Sequence, residues 1–173
     1  MAEMMNDPTT DTIAAVGTAR APAAISILRL SGPAAFDILD RMFQYSADAP
    51  PAPRKLAAGT LSDPATGAAL DAALAARFPA PASYTGEDVA EMFLHGGVFV
   101  TNRALECAIS LGARAALPGE FTMRAFANGK MDLTQAEAVN DVINARNERF
   151  LLSALAALQG RLGADVRAVR AGL

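Results

Sequence analysis

The sequence of 173 residues contains no tryptophan, one cysteine and one histidine, and each shortage excludes something. A single thiol, Cys107, rules out an intrachain disulfide and fits a reducing compartment. It falls in an apolar helical run, so it is expected as a packed core thiol. With His95 the sole imidazole there is no His/Cys cluster, and no metal site is expected. His95 is followed by Gly96 and Gly97, which imply tight backbone, so a structural or hydrogen-bonding role is expected rather than catalysis. No residue is assigned as catalytic. No apolar run approaches the roughly 20 residues of a membrane span, and the polar residues 1–10 hold no signal-peptide core. The expectation is a soluble, cytoplasmic protein without a membrane partner. Also missing is any Gly-x-x-x-x-Gly-Lys-Ser/Thr run, whose backbone N–H groups would cradle nucleotide phosphates. This chain alone is therefore not expected to hydrolyse nucleotide.

What is present is enough for one full domain and an appendage. Hydrophobic residues make up 52% and charged residues 19%, the balance of a chain that can bury a core. The net charge of −3 argues against a general nucleic-acid binder. Residues 1–145 carry ten basic against sixteen acidic side chains, whereas residues 146–173 carry five arginines against Glu148 and Asp165. Any RNA contact is expected from that tail, through Arg161, Arg167 and Arg170, with a solvated helix face as the plainer reading.

Residues 1–10 are expected to be a disordered N-terminus. Apolar and β-branched stretches at 12–16 and 24–30 predict two strands, the second closed by Ser31-Gly32-Pro33. Pro33 opens a helix to about Phe43, with Phe36, Leu39 and Phe43 at helical spacing. Residues 46–53, with three prolines, read as a loop. Extended segments follow at 55–62 and 69–78; the second is alanine-rich, so propensity alone would also allow a helix. A strand at 88–94, a helix at 98–111 and a short strand near Arg114 complete an α+β domain with helices on one sheet face.

At 117–142 the chain turns a corner. Pro118 suits a helix start and Asn128-Gly129 a helix end, which puts Lys130 on a tight turn. Thr134 and Glu137 have capping-box spacing, so a second helix should begin there. From Val139 to Val169 apolar residues recur at helical spacing, which predicts one long helix whose stripe needs partners. The domain boundary is expected at this corner, giving 11–118 and 119–173.

Three polar residues stand out. Alternation puts Arg29 in line with Ile25 and Ile27, and Glu91 in line with Val89 and Phe93. A charge on an apolar strand face needs a partner. Either Arg29 and Glu91 form an internal pair, or they line a pocket in which the carboxylate takes paired N–H donors and the guanidinium grips an acid. Lys130, on its turn, is a solvated lysine unless it faces the same ligand.

Several segments resemble the MnmE (TrmE) family of tRNA modification GTPases: Ile27-Leu-Arg-Leu-Ser-Gly32, the run from Phe78 to Val89 with its Tyr-Thr-Gly-Glu-Asp, His95-Gly-Gly97, and above all the long run from Pro118 to Val139. The register holds from about Asp11 to about Arg161. The resemblance implies a tetrahydrofolate-binding α+β domain, similar in fold to that of the glycine-cleavage aminomethyltransferases, followed by the first helices of an incomplete helical domain. It implies a folate derivative, 5-formyl or 5,10-methylene, held by Arg29, Glu91 and Lys130. It also implies a homodimer through this domain, an FAD-containing MnmG (GidA) partner and tRNA in the complete assembly. GTP, Mg and K belong to a GTPase domain that this chain is expected to lack. The implied chemistry is modification of C5 of the wobble uridine with a folate one-carbon unit. A folate-dependent aminomethyltransferase-like enzyme and a ligand-free dimerisation scaffold are the alternatives. One stretch departs: where the family carries Pro-Gly-Arg-Gly-Gly-Val-Gly, this chain has Arg20-Ala-Pro-Ala-Ala-Ile-Ser26. Alanine adopts positive φ only at a cost, so the loop takes another path or never needed the glycines for conformation.

Overall fold

The computed structural model describes residues 11–19, 21–47 and 49–160. Residues 1–10 lie outside the described residues, as do Arg161, Arg167 and Arg170 of the basic tail and Leu162, Val166 and Val169 of the helical stripe. Among the described residues there are one seven-stranded sheet and five α-helices. The chain divides into two compact units, Met1–Pro118 and Gly119–Leu173.

The first unit holds β1 (Ile13–Val16), β2 (Ile25–Ser31), α1 (Ala35–Met42), β3 (Phe43–Tyr45), β4 (Ala57–Ser62), β5 (Ala69–Phe78), β6 (Val89–His95), α2 (Val98–Ser110) and β7 (Arg114–Ala115). The strand order is β3-β4-β5-β6-β2-β1-β7. All neighbours are antiparallel except β1 and β7, which are parallel. The mixed α+β class agrees with expectation. β3 was not anticipated: Phe43 leaves the helix in extended geometry and pairs with Leu61. The alanine-rich β5 is a strand because it lies between β4 and β6, where Ala73 and Ala75 fill the core and pairing on both edges overrides propensity.

Helix α1 buries Ala35, Ile38, Leu39 and Met42, an i, i+3, i+4, i+7 stripe. With α2, which contributes Ala104, Cys107 and Ala108, it covers the sheet face that carries Leu28, Leu30, Met92 and Leu94. The start of α1 is tied to β1: the Thr12 hydroxyl accepts from the Ala34 N–H at 2.8 Å. The turn before it needs glycine, since Gly32 has φ of 129° and a Cβ there would lie 2.6 Å from the Asp11 carbonyl oxygen.

In the second unit α3 (Glu120–Ala127) ends in a Schellman turn. Lys130 N–H donates to Ala125 O at 2.8 Å, Gly129 N–H to Phe126 O at 3.0 Å, and Gly129 has φ of 68°. Two expectations need correction. The capping box is Asp132 with Gln135, not Thr134 with Glu137, and it opens α4 (Leu133–Ile143). An aspartate is the better N-cap acceptor, and Asp132 has the same box spacing two residues earlier. The long helix is in fact two helices. α4 stops at Ile143, and Asn147 accepts from the Phe150 N–H at 2.9 Å to cap α5 (Glu148–Leu158). Gln135 Nε2 donates to Leu158 O at 2.9 Å, tying the start of α4 to the end of α5 as an antiparallel hairpin. Among the described residues no helix is long and apolar enough to cross a membrane.

Candidate functional site

β2 and β6 are adjacent, and their register sets Arg29 directly opposite Glu91. Both Arg29 Nε, at 2.7 Å, and Nη2, at 2.6 Å, reach the same carboxylate oxygen, Oε1. Among the described residues no donor meets Oε2. The Arg29 side chain is 33% exposed and that of Glu91 13%, so the pair is half-buried. The premise that singled these residues out is corrected here. They do not interrupt the core face; Ile25, Ile27 and Arg29 lie on the face of the sheet opposite α1 and α2, with Ile25 60% exposed. The cost of burying the charge is correspondingly small, and the cross-strand partner meets what remains of it.

One further side chain joins the pair. The ring centroid of Tyr84 lies 5.5 Å from Arg29 Cζ, within cation–π range. Tyr84 belongs to the loop at 79–88, which hydroxyl groups hold. Ser31 is fully buried at the end of β2 and donates to Glu87 Oε2 at 2.6 Å, while Ser31 and Thr85 share a bond of 2.7 Å. The Glu87 N–H donates to Thr85 Oγ1 at 3.3 Å. A single proton assignment satisfies all three: Glu87 N–H to Thr85, Thr85 O–H to Ser31, Ser31 O–H to the Glu87 carboxylate. Asp88 Oδ1 accepts from the Ala80 N–H at 2.8 Å, and Arg54 donates to Ala82 O at 2.9 Å.

From sequence the Tyr-Thr-Gly-Glu-Asp run enters only through the family resemblance, and neither Tyr84 nor Thr85 is singled out for the site. Its aromatic and hydroxyl groups were a usable signal, because a turn needs neither.

The structure brings Arg29 and Glu91 together; Lys130 belongs to the second unit, exposed on the turn after α3. His95 is mostly solvent-exposed. Its Nδ1 lies 2.7 Å from Asp71 Oδ1, and its backbone N–H donates to Asp71 Oδ2 at 2.8 Å. Gly96 lengthens the β2–β6 pairing beside it. It exchanges backbone bonds with Ala23 and Ala24, and a Cβ at Gly96 would lie 2.3 Å from the Ala23 carbonyl oxygen. The glycine-poor loop thus docks on a glycine of the other strand, and none of residues 21–26 has positive φ. Cys107 is buried in the core, and burial pushes its thiol up. Among the described residues no group of three or more His, Cys, Asp or Glu could hold a metal ion. Along the sheet face opposite α1 and α2 a groove of about 530 Å³ runs past Ile25, Thr60, Leu74 and Phe93 to His95.

A family model described as the GTP-binding protein TrmE N-terminus matches residues 12–130. The chain is 50% identical over 162 residues to a protein of Akkermansia muciniphila named tRNA modification GTPase MnmE, covering 94% of this chain and 36% of that one. Proteins of the same name from Syntrophobacter fumaroxidans and Geobacter sulfurreducens are 46% and 45% identical, with 95% and 94% of this chain covered against 35% and 36% of theirs. The chain therefore spans little more than a third of the length of the curated relatives it matches.

Proposed function

The chain belongs to the TrmE N-terminal family, and on that premise we propose that it is the folate-binding and dimerisation module of a GTPase that modifies C5 of the tRNA wobble uridine. One observation carries the reading: the half-buried Glu91 carboxylate, which Arg29 engages through Oε1 only, leaving Oε2 to a donor from outside. A pterin ring presents parallel N–H groups at one edge, and a carboxylate takes such a pair. Glu91 fits that edge, and Arg29 and Lys130 fit the ring carbonyl or the benzoyl-glutamate tail. Tetrahydrofolate, as the 5-formyl or 5,10-methylene derivative, supplies a one-carbon unit when bound; the residues of this chain bind and orient it.

The other components belong to the complete assembly. GTP, Mg and K act in a separate GTPase domain, the FAD-containing MnmG protein supplies redox chemistry, and tRNA is the substrate. The homodimer is assigned to this unit, whose sheet face opposite α1 and α2 exposes Ile25 and Leu74.

The short bonds within the Arg29–Glu91 pair favour a second reading, a ligand-free scaffold that uses the pair internally. Calorimetry with 5-formyltetrahydrofolate separates the two. Binding by the unaltered chain, weakened about 10- to 100-fold in Glu91→Ala, is expected from the value of a charged hydrogen bond. Absence of binding, or equal binding by Glu91→Ala, leaves the scaffold. Turnover of an aminomethyl donor with tetrahydrofolate would point instead to an aminomethyltransferase.

A further inference from the structure

His95 stands where two strands part. The β5–β6 register ends with Leu74 opposite Phe93, whereas β2 runs on to Ile25 opposite His95. On the β5 side a side chain takes over from the ladder: Asp71 Oδ2 accepts the His95 N–H at 2.8 Å, and Asp71 Oδ1 lies 2.7 Å from His95 Nδ1. The Asp71 side chain is 9% exposed, and both of its oxygens are turned to this one residue. An ionised carboxylate only accepts hydrogen bonds, so the proton of a neutral imidazole beside it sits on Nδ1. Nε2 then carries the lone pair. Among the described residues nothing meets Nε2, and the His95 side chain is 74% exposed.

The groove of about 530 Å³ on the sheet face opposite α1 and α2 reaches this imidazole. Ile25, Leu74 and Phe93 supply its apolar surface, and the small side chains of Ala58 and Ala72 leave room between them. Among the described residues His95 is the only ionisable side chain in its lining, so with a neutral imidazole the groove holds no charge to attract an anion. An apolar cleft with one or two placed polar groups is the usual form of a small-ligand site, and the polar group dictates what the ligand must bring. Here that group is an acceptor, so the ligand brings a donor. We propose that the groove binds a neutral aromatic or heteroaromatic ring carrying an N–H or O–H donor, which His95 Nε2 accepts, and that Asp71 is the positioning residue that keeps Nε2 free of a proton for it. Glu91 is not part of this lining, and the inference does not rest on the folate reading.

Two measurements on the full 173-residue chain test it. His95 is the sole histidine, so a long-range ¹H–¹⁵N spectrum reports on its ring without ambiguity. At pH 8.5, where imidazole is ordinarily neutral, Nδ1 should be the protonated nitrogen and Nε2 the bare one. Asp71→Ala should move the proton to Nε2, the tautomer that free histidine favours. A bare Nδ1 or a protonated Nε2 in the unaltered chain overturns the proposal, and so does an unchanged ring spectrum in folded Asp71→Ala. If Asp71→Ala does not fold, the unaltered chain decides. The second measurement is titration with phenol, anisole and benzoate, read from His95 Nε2 and the Ile25 and Leu74 methyl groups. Phenol should saturate these signals and move Nε2. Anisole, which lacks the donor, should bind about 2- to 10-fold more weakly and leave Nε2 in place, and benzoate should bind more weakly than phenol as well. In His95→Phe, phenol and anisole should bind alike. Anisole or benzoate binding as well as phenol to the unaltered chain, or phenol failing to saturate, overturns the proposal. A second copy seated over the groove would give a dimer in sedimentation and leave all three probes without effect, which overturns it too. Calorimetry with 5-formyltetrahydrofolate and Glu91→Ala reads the other site, so either reading fails alone.

Discussion

In the first unit Leu28, Leu30 and Met92 are fully buried between sheet and helices, whereas in the second Met123, Phe126, Leu133 and Ile143 line an open groove of about 430 Å³. The contrast follows from architecture. A sheet with one face covered by α1 and α2 gives every strand a core side, so leucine and methionine can be enclosed with few elements. The three short helices described in the second unit enclose far less. The hairpin of α4 and α5 fully buries only Ala138 and Ala154; Val139, Val142, Leu151, Leu155 and Leu158 are half-buried, and Ile143 is 76% exposed. Among the described residues the first unit encloses a core, whereas the second has an apolar face and little enclosed volume.

The largest expected effect breaks that comparison if it is wrong. Met92→Ala should destabilise the first unit by about 2–5 kcal/mol, the cost of emptying a packed site, and Ile143→Ala should change stability by less than about 0.5 kcal/mol. Urea unfolding followed by separate probes in each unit measures both. Similar losses for the two substitutions would mean that the second unit encloses its apolar groove after all.

Next in size is the helix cap. Asp132→Ala should cost about 0.5–2 kcal/mol, read as faster amide exchange in the first turn of α4, because it removes the acceptor for the Gln135 N–H at 2.9 Å. Thr134→Ala should leave that turn unchanged. The same pair of substitutions tests why this cap was misread from sequence. Asp132-Leu-Thr-Gln and Thr134-Gln-Ala-Glu both have box spacing, and spacing alone does not rank them. The break between α4 and α5 was hidden for a related reason: the apolar period runs on through Asn144 and Asn147, and only the capping habit of asparagine marks the stop.

Strands were more legible than faces. Ser31-Gly32-Pro33 and the turn from Asp63 to Gly67 punctuate the sheet clearly, and every strand except β3 falls within a residue or two of its observed bounds. Which face the helices cover is a tertiary fact. On β2 both Ile25-Ile27 and Leu28-Leu30 look like core, and only the packing of α1 and α2 shows that the leucines are enclosed. Arg29 and Glu91 were therefore found through an argument about buried charge that the open face weakens. What brings them together is strand register, which alternation cannot supply. That open face gives a third prediction. Leu74→Glu, at a residue 40% exposed, should change monomer stability by no more than about 0.5 kcal/mol. If the face receives a second copy, the substitution should shift the chain to monomer in sedimentation. A dimer of unchanged strength would move that interface elsewhere.

The smallest effect is electrostatic and lies in the better-packed unit. Asp63 follows β4 and is tied to α2: Arg103 Nη2 donates to its Oδ2 at 2.6 Å and Nε at 3.2 Å, while the Ala65 N–H reaches Oδ1 at 2.9 Å. The Arg103 hydrogen bond, then the Ala65 N–H, hold the carboxyl below the ordinary aspartate value of 3.8. A carboxyl with a lowered folded pKa binds fewer protons in the native state than in the unfolded one. The stability it contributes is thus complete above pH 3.8 and is lost as pH falls through that value toward the folded pKa. Asp63→Asn should flatten that part of the acid limb of a stability–pH curve and leave the curve parallel to that of the unaltered chain above pH 5. Because the Arg103 side chain is 39% exposed, the link is screened, and 1 M salt should narrow the difference between the two curves. A salt-insensitive difference would mean that the Ala65 bond, and with it the turn after β4, carries the effect rather than the tie to α2.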